Sequence, residues 1–262
     1  MSKYDDQYLN IGQNIIDAGY FDQNRTGIKT WKLPHQIMQF NLAEEFPILT
    51  TKTVAFKTAV KEMLWIYQQQ SNDVSLLQNQ GIHIWDSWAR EDNTIGESYG
   101  FVVKKYNQID NLLDSLRNNP QDRRMMVNLW QIPHLPECNL PPCCFLTMFD
   151  VAWGKLNCML VQRSADWGLG VPFNTSQFAV LVHMLAQSSG LQVGTLTHVI
   201  NNAHIYENQI DGLKEQLTRP RYDAPKLIIK NDTTDFYAFK AEDFVLENYQ
   251  NAGKLDLGKA AV

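Results

Sequence analysis

Two adjacent cysteines, Cys143 and Cys144, follow two prolines in the stretch "NLPPCCFL". A thiol becomes a nucleophile near neutral pH when a neighbouring cation stabilises its thiolate. The residues that follow, "CCFLTMFDVAWGKLNCMLVQRS", form two β-like runs around a turn at residues 150–155, the pattern of a hairpin. A turn centred on Trp153 sets Cys143 across from Arg163. Opposed side chains on one face of such a pair lie about 5 Å apart at Cβ. Strand alternation sends Cys144 to the opposite face, so the same register makes Cys143 the reactive sulfur and Cys144 a core residue. A slip of one residue reverses that choice. Free cysteines are most often inert and buried, and on these residues alone that alternative stays open.

A second residue of chemical interest is Glu62, in "KEMLWIY". A carboxylate among large apolar side chains is costly unless it is hydrogen-bonded or functional. Lys57 and Lys61 mark a polar helix face nearby, so spacing alone does not decide whether Glu62 is buried. Zinc chemistry is not expected. The spacing of Cys138, Cys143, Cys144 and Cys158 fits no zinc pattern, and none of the six histidines lies in an H-E-x-x-H arrangement.

The elements that must position these groups are legible in outline. Residues 54–69 carry Phe56, Val60, Met63, Leu64 and Tyr67 at helical spacing. A short helix is expected at 109–118, ended by "NNP", and "RRMMVNLW" is β-like. A long helix is expected over 174–190, capped by Asn174 or Thr175 and stopped by Gly190. A third is expected over 203–217, capped by Asn201 or Asn202, with Ile210, Leu213 and Leu217 inward. "KLIIK" and "FVLENY" read as strands. The mixture gives an α/β (α+β) fold with helices packed on one large sheet. No repeat or low-complexity linker interrupts it, and 262 residues suit one domain over 1–262.

Composition narrows the function. The chain is 44% hydrophobic and 19% charged, ordinary for a globular protein, and its net charge is −5. That balance argues against general nucleic-acid binding, which needs a basic patch or stripe. No apolar run approaches the length of a membrane span. The start, "MSKYDDQYLN", lacks the order of a secretory signal, so reduced thiols in a cytoplasm are expected.

At "LPPCC…QRSADWGLGVPFN…HIY" the sequence closely resembles the folate-dependent thymidylate synthase family. The resemblance spans nearly the whole chain. It includes "RTG" at 25–27, "FPILTTK" at 46–52, "KEMLWIY" at 61–67, "IHIWDSWAREDNTIGESYG" at 82–100 and "DRR" at 122–124. It implies a mixed, largely antiparallel sheet covered by helices, the sheet forming the interface of an obligate homodimer. It implies methylation of dUMP at C5, with 5,10-methylenetetrahydrofolate as carbon and hydride donor and no metal.

The resemblance also assigns residues. Cys143 is implied as the nucleophile that attacks C6, with Arg163 beside it. Arg25, Arg123, Arg124 and Arg163 are implied as phosphate ligands with Ser164, Arg123 and Arg124 reaching the neighbouring subunit's nucleotide. Read singly, each arginine is better explained as a solvated surface charge, a reading weakened for the tandem Arg123–Arg124 at the lip of a strand-like run. Asn174 is implied to read the uracil edge, for which an amide offers both donor and acceptor; its other reading is the helix cap. His204 and Tyr206 are implied to hold the 3′-hydroxyl, and otherwise read as a partly buried pair. Glu62 is implied to organise water and proton transfer near O4, and Tyr99 to help remove the C5 proton. Trp85, Trp88, Asp166, Leu169 and Phe173 are implied to contact folate, although aromatic residues at such spacing are usually core. The C-terminal "GKAAV", with Val262, is implied to fold over bound ligands, where a frayed tail is the ordinary reading.

Three positions depart from the family pattern. Cys144 stands where many members have histidine, Asn201–Asn202 replace a usual Gly–Asp, and Trp167–Gly168 stand in the folate-side turn. A related reading is a pyrimidine hydroxymethylase, which releases the same intermediate to water. Those acting on dCMP carry aspartate where this chain has Asn174, and Trp85 would shield the intermediate from water. A reading from another class is a catalytically silent RNA-binding regulator. The acidic balance and the intact set of polar residues argue against it, and RNA autoregulation is the one nucleic-acid role left open.

Overall fold

The computed structural model of the chain describes residues 2–24 and 26–258. Its helices are α1 (Lys3–Ala18), α2 (Phe56–Met63), α3 (Ser75–Gln78), α4 (Gly100–Lys105), α5 (Gln108–Asn118), α6 (Gly170–Ser188) and α7 (Ile210–Thr218). The strands are β1 (Tyr20–Asp22), β2 (Thr30–Asn41), β3 (Met126–Asn128), β4 (Cys144–Ala152), β5 (Lys155–Gln162), β6 (Ala165–Asp166), β7 (Gln192–Tyr206), β8 (Lys226–Ile229) and β9 (Phe244–Glu247).

Seven strands form one mixed sheet in the order β1-β2-β7-β5-β4-β3, with β6 also pairing β7. β5 and β6 run parallel to β7, and the remaining pairs are antiparallel. A parallel neighbour needs a crossover, and α6 supplies it between β6 and β7. Its sequence "FAVLVHMLA" is apolar all round, as suits a helix buried on every side. It lies against α2, β5 and β7, with residues from Phe178 to Val182 fully or almost fully buried. The α/β expectation of helices on one large sheet is met. The opposite face of the sheet carries Ile37 and Met159 in the open.

The local expectations meet the structure unevenly. The helix expected at 54–69 begins at Phe56 and widens into a π-helical turn at Leu64–Gln68, closed by the Gln69 N–H on Leu64 O at 2.8 Å. The helix at 109–118 is α5 almost residue for residue. The helix expected from 174 starts earlier, at Gly170, so Asn174 lies inside it and caps nothing. The reason is the Asp166 carboxylate, whose Oδ1 accepts from Leu169 N at 3.0 Å and turns the chain into the helix.

The helix expected from 203 is the larger error. Residues 203–206 end the long strand β7, held by Thr30–Leu33 of β2 on one side and by β6 on the other. Sheet pairing from distant segments overrides the local helical spacing, and α7 begins only at Ile210. Asn201 and Asn202 are therefore strand residues rather than caps. "KLIIK" and "FVLENY" do form strands, but they pair with each other as a separate ribbon.

The hairpin register is also shifted. Trp153 and Gly154 make a two-residue turn with φ of 51° and 73°, both left-handed as such turns require. Ala152 pairs with Lys155 and Leu146 with Val161, one residue off the expected register. Phe145 is then an extra residue, because Cys144 pairs with Gln162. This bulge restores the expected opposition at the end of the hairpin, where Arg163 N donates to Cys143 O at 2.9 Å.

Candidate active site

The double proline before the cysteines has a structural use. Proline carbonyls keep their acceptor capacity, and those of Pro141 and Pro142 accept from Arg163 Nη2 at 2.6 Å and Nε at 2.9 Å. The guanidinium also lies over the Trp130 ring at 5.5 Å. Held on three sides, Arg163 places Nη2 3.7 Å from Cys143 Sγ. Cys143 is half-buried, whereas Cys144, which also lines the pocket described next, is buried, and burial pushes its thiol well above the ordinary range. The bulge thus separates a half-buried thiol in contact with a cation from a buried one whose ionisation burial opposes.

Cys143 lies in a pocket with Glu62, Ile66, Tyr67, Trp85, Tyr99 and Asn174 on its walls. Glu62 comes from the last turn of α2, just before the π-helical turn that brings Ile66 and Tyr67 to the same pocket. Such turns recur at functional sites. The carboxylate is buried, and accepts from Trp85 Nε1 and Gln177 Nε2, both at 2.5 Å. Burial raises its pKa to about 7, against the opposing pull of those two hydrogen bonds. It can therefore take up and release a proton near neutral pH.

Tyr99 sits in a left-handed backbone conformation, φ 48°, ψ −111°, unusual for a bulky residue. The next residue must be glycine, since a Cβ on Gly100 would fall 2.0 Å from Ser71 O. This strained corner puts the phenol against the nucleophile's backbone, and Cys143 N donates to Tyr99 Oη at 3.2 Å. The Tyr99 ring meets Trp85 edge-on at 5.1 Å, and Trp85 meets Trp88 at 5.7 Å.

Asn174, Gln177 and Phe178 project from one face of α6, at the spacing of helix neighbours. Asn174 Oδ1 accepts from Gln162 Nε2 at 3.2 Å. Gln162 Oε1 lies 2.8 Å from His198 Nε2, and His198 Nδ1 lies 3.1 Å from Thr175 Oγ1. Burial lowers the His198 pKa to about 3, so this chain of contacts is uncharged.

Beyond Arg163 the chain runs through half-buried Ser164 into β6, where Asp166 is opposite His204 of β7. Asp166 Oδ2 accepts from Gln209 Nε2 at 3.0 Å. His204 and Tyr206 are perpendicular rings 5.1 Å apart. Leu169 and Phe173 are half-buried at the start of α6. Arg123 and Arg124 are not in the Cys143 pocket. Both are exposed just before β3, and Arg124 Nε pairs with Asp122 at 2.9 Å. Arg25 and Val262 lie outside the described residues. Among the described residues no cluster of His, Cys, Asp and Glu side chains could hold a metal ion, and no helix is long and apolar enough to cross a membrane.

Several residues at this site were not anticipated from the sequence. Gln177 holds Glu62 and lies one helical turn after Asn174, a spacing that could have flagged it. Gln162 adjoins Arg163 in "QRS" but carries no signal of its own. Lys52 is buried, with its ammonium on Gly168 O, and burial lowers its pKa to about 8 despite the charge of Asp166. The Trp167 departure is explained by packing. Its indole stacks on Tyr8 at 5.0 Å and lies against Gly12, where a Cβ would come within 3.0 Å of Nε1.

Known proteins of one family are similar to this chain in sequence and in backbone. A family model described as thymidylate synthase matches residues 6–261. Thymidylate synthase of Clostridium beijerinckii is 68% identical over 253 residues, covering 96% of each chain. Thymidylate synthase 1 of Bacillus subtilis is 41% identical, covering 97% of this chain and 98% of the relative. The solved structure of thermostable thymidylate synthase A from Bacillus subtilis superposes with a TM-score of 0.94 over 99% of both chains, at 42% identity. A match in sequence and backbone over almost the full length leaves one assignment: the chain belongs to the thymidylate synthase family of methyltransferases.

Proposed function

We propose that this member of the family makes thymidylate by reductive methylation of dUMP at C5, through a covalent bond between Cys143 and C6 of the base. The observation that carries the reading is the contact between Arg163 Nη2 and Cys143 Sγ at the mouth of a pocket holding Glu62 and Asn174. C5 of uracil is a poor nucleophile. Addition of the Cys143 thiolate to C6 pushes the electron pair of the C5–C6 double bond toward O4, and C5 becomes an enolate carbon able to take a one-carbon unit. Arg163 favours the thiolate by its charge.

5,10-Methylenetetrahydrofolate supplies the one-carbon unit and the hydride and leaves as dihydrofolate. Glu62 moves a proton to and from O4 through water, a task suited to its raised pKa. Tyr99, fixed on the Cys143 backbone, orients the water that removes the C5 proton. Expulsion of the Cys143 thiolate from C6 then restores the double bond of the product.

Arg25, Arg163 and Ser164 hold the phosphate with Arg123 and Arg124 of a second copy, and bidentate guanidinium pairs suit that dianion. Asn174 reads the uracil edge; His204 and Tyr206 hold the 3′-hydroxyl. Trp85, Trp88, Asp166, Leu169, Phe173 and Val262 form the folate site. The aromatic pair, the carboxylate of Asp166 and the buried ammonium of Lys52 fit a flat, amide-bearing and acidic ligand of that kind. The chain acts as one catalytic domain over 1–262 in the cytoplasm, dimerising through the open sheet face that carries Ile37 and Met159.

The test is an assay of the purified chain with dUMP and 5,10-methylenetetrahydrofolate. Formation of dTMP and dihydrofolate in equal amounts is expected. Hydroxymethyl-dUMP with tetrahydrofolate would assign the hydroxymethylase reaction instead.

A further inference from the structure

We propose that the Asn202 amide fixes His204 as its neutral Nδ1–H tautomer, making Nε2 a hydrogen-bond acceptor that selects a ligand group able to donate, such as a hydroxyl. The two residues are two apart on β7 and so share a face of the sheet. Asn202 Oδ1 lies 3.1 Å from His204 Nδ1. An amide oxygen only accepts, so the ring nitrogen facing it carries the proton. A neutral imidazole then has its lone pair on Nε2.

The surroundings keep the ring neutral. Burial lowers the pKa of His204 most, with the charge of Lys32 acting in the same direction, and the charge of Asp166 and a hydrogen bond with the Asn202 backbone oppose it. Asp166 faces the ring from β6, and Lys32 faces it from β2 with its own charge answered by Asp22. Tyr206 presents its ring from the same strand. Position 202 is opposite Pro34, which has no N–H to offer. A carboxylate at 202 would be a second anion beside Asp166, and would draw His204 into the imidazolium form with both nitrogens donating. The amide preserves the acceptor. The Asn–Asn departure thus has a chemical consequence: recognition of a hydroxyl that does not change with pH in the neutral range.

The identity of that hydroxyl as the deoxyribose 3′-OH rests on the nucleotide reading above; the tautomer does not. Nitrogen-15 NMR of histidine-labelled, full-length protein without ligand reads the tautomer directly, with the His204 signals identified by their loss in His204→Gln. The expected result is an unprotonated Nε2 that does not titrate between pH 6 and pH 8. In Asn202→Asp, both nitrogens should be protonated at pH 6. An Nε2–H tautomer in the wild type, or a His204 that stays neutral in Asn202→Asp, would overturn the proposal.

Ligand binding supplies the second arm. The 3′-fluoro analogue of dUMP, which has lost the O–H, should bind the wild type about tenfold more weakly than dUMP, the scale of a site built to accept from a hydroxyl. In Asn202→Asp at pH 6 that gap should shrink to about threefold or less. Equal discrimination in both proteins would refute hydroxyl selection by Nε2. If His204→Gln binds dUMP as the wild type does, His204 is not a nucleotide ligand and the hydroxyl assignment falls, whatever the NMR gives.

Discussion

Arg163 meets Cys143 because β4 carries one residue more than β5 at this point. With Phe145 as the extra residue, Cys144 pairs with Gln162 and the next opposition sets Cys143 against Arg163. In the register of the rest of the hairpin, Cys144 would take that place. The bulge therefore decides which sulfur stands beside the cation, and the carbonyls of Pro141 and Pro142 decide where the cation stands.

Arg163→Lys keeps the charge but cannot grip both carbonyls and the sulfur, or stack on Trp130. The expected loss in kcat/KM for dUMP is about a hundredfold or more, near 3 kcal/mol of transition-state stabilisation. Alkylation of Cys143 by iodoacetamide should move to higher pH in the variant. An unchanged alkylation profile would show that the guanidinium does not hold the thiolate.

Glu62 links activity and stability to pH. Its folded pKa, about 7, is above the ordinary 4.5 because burial favours the neutral acid. The folded state therefore binds the extra proton between those values. Stability falls as pH rises through that window and levels off above it, by about 3 kcal/mol in all. Glu62→Gln removes the ionisation, so its stability relative to the wild type should be higher at pH 8 than at pH 5. Denaturant unfolding at both pH values measures this. Turnover should drop by about a hundredfold or more, the usual worth of a positioned proton carrier.

Asn174 sets the base. Its Oδ1 already accepts from Gln162 Nε2, so aspartate fits the same place with an acceptor on both sides. Cytosine presents a donor where uracil presents O4. Asn174→Asp should shift the ratio of kcat/KM values toward dCMP by about tenfold or more. Unchanged discrimination in a competition assay would remove Asn174 from base reading.

Trp167 and Gly12 are predicted to be coupled. Trp167→Val should cost about 2–4 kcal/mol, from the buried surface lost and the cavity left against Tyr8. Gly12→Ala in the wild type sets a better helix former against a Cβ 3.0 Å from the indole. With valine at 167 the clash is gone, so Gly12→Ala should then stabilise by about 1 kcal/mol. Thermal unfolding of the four proteins gives the coupling directly, and additive effects would mean the two side chains do not compete for space.

The sequence was most legible where the signal is local. α5, the β-like "MVN" and the turn at Trp153 follow from spacing and turn chemistry within a few residues. Residues 203–206 were misread because their strand conformation comes from β2 and β6, which are remote along the chain. Asn174 illustrates a subtler limit: a good cap residue became a mid-helix residue once Asp166 had started α6 early. At the site, Cys143 and Arg163 were placed opposite each other from a register correct there and wrong along the rest of the hairpin, because no residue type announces the bulge at Phe145. Gln177, Gln162 and Lys52 escaped notice because their importance lies in what they touch. Glu62 stood out for the reverse reason, as a charge among hydrocarbon.

The proposed chemistry depends on which sulfur bonds to the base. 5-Fluoro-dUMP with 5,10-methylenetetrahydrofolate should trap the covalent species, since a C5 fluorine cannot leave as a proton does. Peptide mapping of the trapped protein by mass spectrometry then locates the adduct. Nucleotide is expected on Cys143, with no adduct in Cys143→Ser, which should lose nearly all turnover yet still bind dUMP. Adduct on Cys144, or a stable ternary complex with no covalent bond to either cysteine, would contradict this chemistry.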